Sequence, residues 1–196
     1  YLGNRSSGRM GAEIANAAAR RGLAVTLLRG PTALAPDPTL SITEHRFESA
    51  ADLARLLEEH WPPHDILYMT AAVADFRPSF TPGKHRRGDG LTLTLEPVPD
   101  LLASLAATDP PSKIRIGFAL EPKVDLETSG LRKLAAKHLT GIVANPLETL
   151  DGEEIDGVLF LADGRRLVPS DSPVAKTLFA TWLVEQVLDV ARTMPD

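Results

Sequence analysis

The chain has 196 residues, of which 43% are hydrophobic, no cysteine, and a formal net charge of -5. This length suits one well-buried α/β domain better than two, and the negative charge argues against binding along a nucleic acid backbone. Disulfides and thiolate metal sites are excluded, the histidines show no metal-ligand spacing, and no apolar run approaches the roughly 18 residues of a membrane span. We therefore expect a single cytoplasmic domain over residues 1–196 that binds small ligands.

The chain starts with a motif of small and polar residues, NRSSGRMG at positions 4–11, ahead of a predicted amphipathic helix over Ala12–Arg21. The first amides of a helix have no intrahelical partner, and the helix dipole adds partial positive charge there. Gly8 would let a phosphate approach the backbone closely. Ser6 and Ser7 fit either a phosphate site at the helix start or ordinary helix capping, and the motif alone decides neither.

Short apolar runs and helical periodicity alternate after this helix. Strands are predicted over Leu23–Leu28, Ser41–Phe47 and Asp65–Met69, with a helix over Ala50–His60 between the last two. This βαβα order with short connections predicts a Rossmann-like, mainly parallel, doubly wound sheet flanked by helices. Ligands of such a fold bind at the carboxyl ends of the strands.

The middle of the chain departs from this pattern. A polar loop over Pro78–Gly90 precedes Leu91–Glu96, whose strict alternation predicts a half-exposed strand in a hairpin or in a pairing surface between subunits. The later predicted elements are a helix over Pro99–Ala107, a strand over Lys113–Leu120, a helix over Leu126–His138, a strand over Thr140–Ala144, a hairpin of Ile155–Leu161 and Arg165–Val168 with a type I′ turn, and a helix over Pro173–Arg192. The apolar face expected for this last helix comprises Leu178, Trp182, Leu183, Val187, Leu188 and Ala191.

Four segments resemble phosphopantothenate-cysteine ligases in order and spacing, and residues 137–145 add a fifth. They are NRSSGRMG at 4–11, AAVADFRP at 71–78, KHRR at 84–87 and GFALE at 117–121. The resemblance covers nearly the whole chain. It implies the step of coenzyme A synthesis that joins 4′-phosphopantothenate to cysteine, driven by CTP in bacterial members and by ATP in some others. It also implies Mg²⁺, a homodimer, and a flavin-dependent decarboxylase as a fused domain or a partner.

The chain departs from the family pattern at several positions. The family places an apolar strand and a glycine-rich turn ahead of the first motif, so we expect that first strand to lie outside residues 1–196. A Lys-x-Lys-Lys pattern becomes Lys84-x-Arg86-Arg87, which keeps the charge. Pro122 follows Glu121 where the family has threonine, and acidic residues at 151–156 replace asparagines, which leaves nucleotide choice open.

The resemblance assigns the chemistry to Lys84 and Asn4. Lys84, on a glycine-containing loop, would stabilise charge on the phosphates, with Arg86 and Arg87 as supporting cations; a solvated basic loop is the alternative. Asn4 can orient a carboxylate or an acyl phosphate without adding charge, or it can be a turn or cap residue.

The resemblance also implies nucleotide contacts for Ser6, Ser7, Gly8, Ala71, Ala72, Asp75, Phe118 and Lys137. Asp75 suits a ribose hydroxyl or a base amino group, or else an ion pair with Arg77. Phe118 can stack on a base or belong to the core. Lys137 can reach a phosphate or serve the helix dipole, and Asn145 can be only a turn residue.

Two other functional classes compete with the ligase. A nicotinamide-dependent oxidoreductase would share the coarse fold, but the chain lacks G-x-G-x-x-G after a strand and an acidic ribose ligand about 20 residues on. A non-catalytic nucleotide-binding subunit is compatible with the acidic stretch after Asn145. The retained Asn4 and Lys84 argue against it.

Overall fold

The computed structural model of the chain describes residues 6–79, 92–149 and 152–194. Its helices are α1 (Arg9–Arg20), α2 (Ala50–His60), α3 (Leu101–Ala106), α4 (Leu126–Ala136) and α5 (Lys176–Thr193). Its strands are β1 (Val25–Arg29), β2 (Ile42–Arg46), β3 (Ile66–Met69), β4 (Phe76–Pro78), β5 (Leu95–Pro97), β6 (Ile114–Glu121), β7 (Gly141–Pro146), β8 (Glu154–Ile155), β9 (Val158–Leu161), β10 (Arg166–Leu167) and β11 (Val174–Ala175). None of the helices in these ranges combines the length and apolar character that a membrane crossing requires.

The larger sheet has the strand order β10-β9-β7-β6-β3, in which β3, β6 and β7 run parallel. Helices α1 and α5 cover the face that presents Ile116, Val143 and Leu159. Helices α3 and α4 cover the other face, where Ile142 and Phe160 are buried. The predicted α/β class, with a mainly parallel sheet flanked by helices, is confirmed.

A smaller parallel sheet pairs β1 with β2. Among the described residues, β1 has no strand partner other than β2, and β3 has none other than β6. An apolar cavity of about 830 Å³ lies between the free edges of β1 and β3 and is bordered by α1. A Rossmann-like order places one further parallel strand between two such edges. The cavity therefore lies where the first strand expected outside residues 1–196 would fit.

The helix ends follow from local sequence. Gly22 takes a left-handed φ of 78°, which lets the Leu23 N–H donate to the Ala18 carbonyl at 3.2 Å and ends α1. Ser49 and Asp52 form a capping box at the start of α2, with the Asp52 N–H donating to Ser49 Oγ at 3.1 Å and the Ser49 N–H donating to Asp52 Oδ2 at 3.0 Å. This helix keeps the predicted bounds.

The turn between β9 and β10 differs from the prediction. A type I′ turn needs positive φ at two central residues, but Gly164 has φ 91° and Asp163 does not share the positive sign. The Gly164 N–H donates to the Leu161 carbonyl at 3.0 Å. The connection is therefore a type I turn followed by a left-handed glycine, and the predicted type I′ turn is wrong.

The strand predicted over Ile155–Leu161 is divided into β8 and β9. At Gly157, between them, a Cβ would lie 2.7 Å from Phe179 Cζ, so a side chain there would displace the ring. β8 pairs with β11 in an antiparallel ladder, and β11 occupies residues predicted to begin the last helix. The prediction therefore placed the start of α5 too early, because it missed this short strand.

The buried face of α5 is also shifted from the prediction. Phe179, Leu183 and Val187 are fully buried, whereas Leu178 is 63% exposed. Trp182 and Leu188 contact the core only at its margin. Spacings of four residues from Phe179 define the stripe that faces the sheet and α1.

The predicted strand over Leu91–Glu96 is shorter and later in the structure. Leu91 lies outside the described residues, and β5 pairs antiparallel with β4, placing Leu95 opposite Pro78. The hairpin alternative is thus observed. Phe76 and Leu95 are 56% and 44% exposed. Pairing of this surface with a second subunit stays a prediction.

Candidate active site

A cavity of about 600 Å³ lies at the carboxyl ends of β3, β6 and β7. Met69, Phe118 and Asn145 border it from these three strands, and the starts of α1 and α3 complete its walls. Parallel strands bring their carboxyl ends to one edge of a sheet, which is where ligands bind in doubly wound folds. The cavity thus lies where the sequence pattern predicted a ligand site.

The helix start contributes Ser6, Ser7 and Gly8 to this cavity. Gly8 is the N-cap of α1 and has a left-handed φ of 73°; a Cβ there would lie 2.7 Å from Thr32 Oγ1. The Gly8 N–H donates to Ser6 Oγ at 3.3 Å, and the Arg9 N–H donates to Ser7 Oγ at 3.4 Å. The hydroxyls therefore hold a tight turn against the cavity, and neither is the N-cap residue. Phosphate binding at this turn stays a prediction.

The segment after β3 also borders the cavity, through Ala71, Ala72 and Asp75. The Asp75 carbonyl accepts the Val98 N–H at 2.8 Å, which ties this segment to the residues ahead of α3. The Arg77 guanidinium lies 3.8 Å from the carboxylate of Glu96, across the β4–β5 hairpin. The alternative of an Asp75–Arg77 ion pair is wrong, and the Asp75 carboxylate stays a candidate for a ligand hydroxyl or amino group.

Phe118 lies on β6, is half-buried, and both borders the cavity and packs against the main core. Phe118 can therefore both belong to the core and face a ligand, so the two alternatives do not exclude each other. Stacking on a base stays a prediction.

Lys137 borders the cavity from the end of α4 and forms an ion pair with Asp100, with Nζ 3.0 Å from Oδ2. Asp100 is also the N-cap of α3, because its Oδ1 accepts the Ala103 N–H at 3.2 Å. Burial disfavours the charged carboxylate, but the hydrogen bonds from Lys137 and from helix amides hold the pKa of Asp100 below its ordinary value. Asp100 is therefore an anion beside a lysine that was expected to bind anions.

Three further cations border the cavity and were missed at the sequence level: Arg9, Lys133 and Lys176. Lys133 Nζ lies 2.6 Å from Glu121 Oε1, and Arg9 Nη1 lies 3.8 Å from Glu153 Oε1. A signal for Lys133 was available, since it precedes Lys137 by one helical turn and shares its face. Lys176 offered no such signal, because its position depends on where α5 begins.

Lys176 and Asn145 hold the turn that follows β7. Lys176 is 7% exposed, and its Nζ donates to the Thr149 carbonyl at 3.2 Å. Asn145 Nδ2 donates to Thr149 Oγ1 at 3.0 Å, and that hydroxyl donates to the Pro146 carbonyl at 2.8 Å. The predicted turn role of Asn145 is confirmed, and the turn itself borders the cavity.

Asn4, Lys84, Arg86 and Arg87 lie outside the described residues, so their roles stay predictions. The described part of the chain holds no group of three or more His, Cys, Asp or Glu residues that could bind a metal ion. Anion binding by the basic side chains that border the cavity stays a prediction.

The fold and the cavity define a doubly wound α/β domain whose candidate site combines a glycine-bearing helix start with several lysines. The chain belongs to the family described as the DNA/pantothenate metabolism flavoprotein C-terminal domain, whose model matches residues 1–190. The resemblance found in the sequence motifs is therefore confirmed as a family relationship.

Relatives and a solved structure agree with this family. A coenzyme A biosynthesis bifunctional protein CoaBC from Vibrio cholerae is 34% identical over 195 residues, covering 95% of this chain and 48% of that protein. A cysteine/cysteine sulfinic acid decarboxylase from an unknown prokaryotic organism is 38% identical over 150 residues, covering 76% of this chain and 41% of that protein. The chain thus spans less than half the length of these relatives. A crystal structure of the C-terminal domain of CoaBC aligns with a TM-score of 0.80 and 30% identity, over 97% of this chain and 86% of that one.

Proposed function

We propose that this domain is a phosphopantothenate-cysteine ligase that joins 4′-phosphopantothenate to L-cysteine through an acyl-cytidylate intermediate, using CTP. The observation that carries the proposal is the cavity at the carboxyl ends of the strands, which Gly8, Asp75 and Lys137 all border. The relatives named for coenzyme A biosynthesis support the substrate class.

The reaction needs two displacements. A carboxylate is a poor acyl donor, so the carboxylate of 4′-phosphopantothenate first attacks the α-phosphate of CTP, forming a mixed anhydride and releasing pyrophosphate. The amine of cysteine then attacks the acyl carbon, loses a proton and releases CMP as the amide forms. Both steps gather negative charge on phosphate oxygens, and positioned cations and backbone amides stabilise that charge.

The residues divide this work by their chemistry. A phosphate would bind at the Ser6 and Ser7 hydroxyls and at the first-turn amides of α1, and Asp75 would accept a hydrogen bond from a ribose hydroxyl or a base amino group. Lys84 supplies a cation for the displaced phosphates, and Asn4 orients the acyl group. Mg²⁺ would bind together with the nucleotide, because protein-bound Mg²⁺ is commonly coordinated by substrate phosphates in addition to one or two carboxylates.

Further parts of the proposal concern assembly. The exposed apolar side chains of the β4–β5 hairpin support a homodimer, because a second subunit can cover them. The bifunctional naming of the CoaBC relatives, and the share of their length that this chain spans, support a flavin-dependent decarboxylase as a fused domain or partner. A cytoplasmic location fits such a pathway enzyme.

The test is pyrophosphate release by the full-length protein with Mg²⁺, 4′-phosphopantothenate and either CTP or ATP, with and without cysteine. We expect release with CTP that requires 4′-phosphopantothenate, and amide product only when cysteine is present. Equal turnover with ATP would overturn the nucleotide assignment. No release with either nucleotide would favour a nucleotide-binding subunit.

Two variants separate the proposed roles of Lys84 and Asn4. Lys84→Gln should lower turnover by about 10²-fold or more, because it removes a phosphate-stabilising cation. Asn4→Ala should affect chemistry more than nucleotide affinity, because its partner is the acyl group. Lys123→Gln, at an exposed lysine that does not border the cavity, is the matched control. Near-normal turnover in both variants would remove both residues from the mechanism.

A further inference from the structure

The Asp100–Lys137 pair places a carboxylate of the protein on a cation that borders the ligand cavity. The two side chains are 41% and 35% exposed, and both residues border the cavity. Ion pairs with this much solvent contact contribute little net stability, so a ligand group with more negative charge than a carboxylate can displace Asp100 from Lys137 at small cost.

The two partners are anchored independently of each other. Asp100 stays in place because its other oxygen caps α3, through the 3.2 Å bond from the Ala103 N–H. The backbone of Lys137 is held at the end of α4, because the Lys137 N–H donates to the Lys133 carbonyl and the Leu139 N–H donates to the Leu134 carbonyl, each at 3.1 Å. Asp100 therefore does not move away with the lysine, and its charge faces any anion that Lys137 binds.

We propose that Asp100 is a specificity-determining residue of this site: it competes for the Lys137 ammonium, so that a phosphate group binds there and a carboxylate does not. A phosphate monoester carries about -1.5 to -2 charges at pH 7, against -1 for a carboxylate. A ligand carboxylate would gain from Lys137 no more than Asp100 already does. This inference depends on the proposed function only for the identity of the phosphate-containing ligands, CTP and 4′-phosphopantothenate.

The test is equilibrium binding to the full-length protein by titration calorimetry, with CTP, 4′-phosphopantothenate and inorganic tripolyphosphate as separate probes. Asp100→Asn removes the charge but keeps a good helix cap, so the fold is retained. We expect it to tighten tripolyphosphate, and whichever substrate supplies the phosphate, by about two- to fivefold. Lys137→Gln should weaken the same probes. Asp189→Asn, which removes one exposed carboxylate from an ion pair on α5, should change none of them.

Selectivity is the sharper measurement. For the substrate whose affinity changes in Asp100→Asn, an analogue with a carboxymethyl group in place of the phosphate should bind the wild type about two- to fivefold more weakly than the phosphate compound does. Asp100→Asn should lower that affinity ratio. Weaker phosphate binding in Asp100→Asn would show that Asp100 only positions Lys137, and an unchanged ratio would also overturn the proposal. A tripolyphosphate response without binding of CTP or 4′-phosphopantothenate would support the inference and overturn the proposed function.

Discussion

Strands β7 and β1, which lie on either side of the apolar cavity, differ in how deeply their residues are buried. In β7, Val143 and Ala144 have no exposed surface, because β6 and β9 flank the strand and helices cover both faces. In β1, every residue is only half-buried although Leu27 and Leu28 are as apolar as the core of β7. The burial differs because β1 borders the cavity of about 830 Å³ and, among the described residues, pairs only with β2.

This difference shows that an apolar run predicts a strand but not how deeply it is buried. Burial depends on neighbours along the hydrogen-bonding direction, which come from distant parts of the sequence. We call β6, β7 and β9 the closed side of the sheet and β1 and β2 the open side, and we expect substitutions on the closed side to cost more free energy of unfolding.

The largest contrast is expected between Leu159→Ala in β9 and Leu27→Ala in β1. Leu159 has no exposed surface, so its truncation should lower the free energy of unfolding by about 2–5 kcal/mol. Leu27 faces the cavity in part, so its truncation should cost about 1 kcal/mol. Denaturant unfolding measures both, with Leu159→Met as the volume-conserving control. Equal losses would mean that β1 is packed as well as β9 in solution.

The fold was largely predictable because its strongest signals are local. The α2 helix kept its predicted bounds, since the capping box at Ser49 and the prolines after Trp61 mark both ends. The errors occurred where tertiary contacts decide. The strand predicted over Ile155–Leu161 divides because β8 pairs with β11 whereas β9 pairs with β7 and β10, and the start of α5 moved because β11 forms there.

The closed side also carries a buried ion pair. Asp109 accepts hydrogen bonds from Trp61 Nε1 and Arg115 Nη1, each at 2.9 Å, and the paired side chains are 10% and 9% exposed. Asp109→Ala leaves the Arg115 charge buried without its carboxylate and should cost about 3 kcal/mol.

Glu59→Ala is the control for this variant, because it removes an exposed pair with Arg55 and should stay within about 0.5 kcal/mol. Thermal or denaturant unfolding gives both values. A loss as small as that of the control would show that the buried network is not a stability element of the closed side.

The candidate site was predictable where its residues follow strand ends. The resemblance named Gly8, Asp75 and Phe118, which are far apart in sequence, and all three border the one cavity at the predicted edge of the sheet. The ion pairs could not be predicted. Asp100 meets Lys137 only because α3 and α4 lie side by side on one face of the sheet, and no spacing in the sequence encodes that contact.

Amide hydrogen exchange should also separate the two sides in the 196-residue chain. The β7 amides lie between two strands and should exchange only on global unfolding, whereas the β1 amides should exchange about 10²-fold faster through local opening. The β2 amides serve as the internal comparison, since they pair with β1 on one side. Protection of β1 equal to that of β7 would indicate that the cavity edge is covered in solution.

The smallest expected effect is the pH dependence contributed by Glu44 on the open side. The hydrogen bond from Arg29 outweighs the cost of burial and, with the Arg46 charge, holds the pKa of Glu44 below its ordinary value of 4.5. Because the folded pKa is the lower one, this contribution is present above about pH 4.5 and is lost as the pH falls through the folded pKa. The free energy of unfolding should therefore decrease less between about pH 5 and pH 3 in Glu44→Gln than in the wild type, by a difference of less than about 1 kcal/mol. Glu58→Gln, at an exposed position of α2, should leave that slope unchanged, and an identical slope in the two variants would show that the Arg29–Glu44 pair does not stabilise the open side.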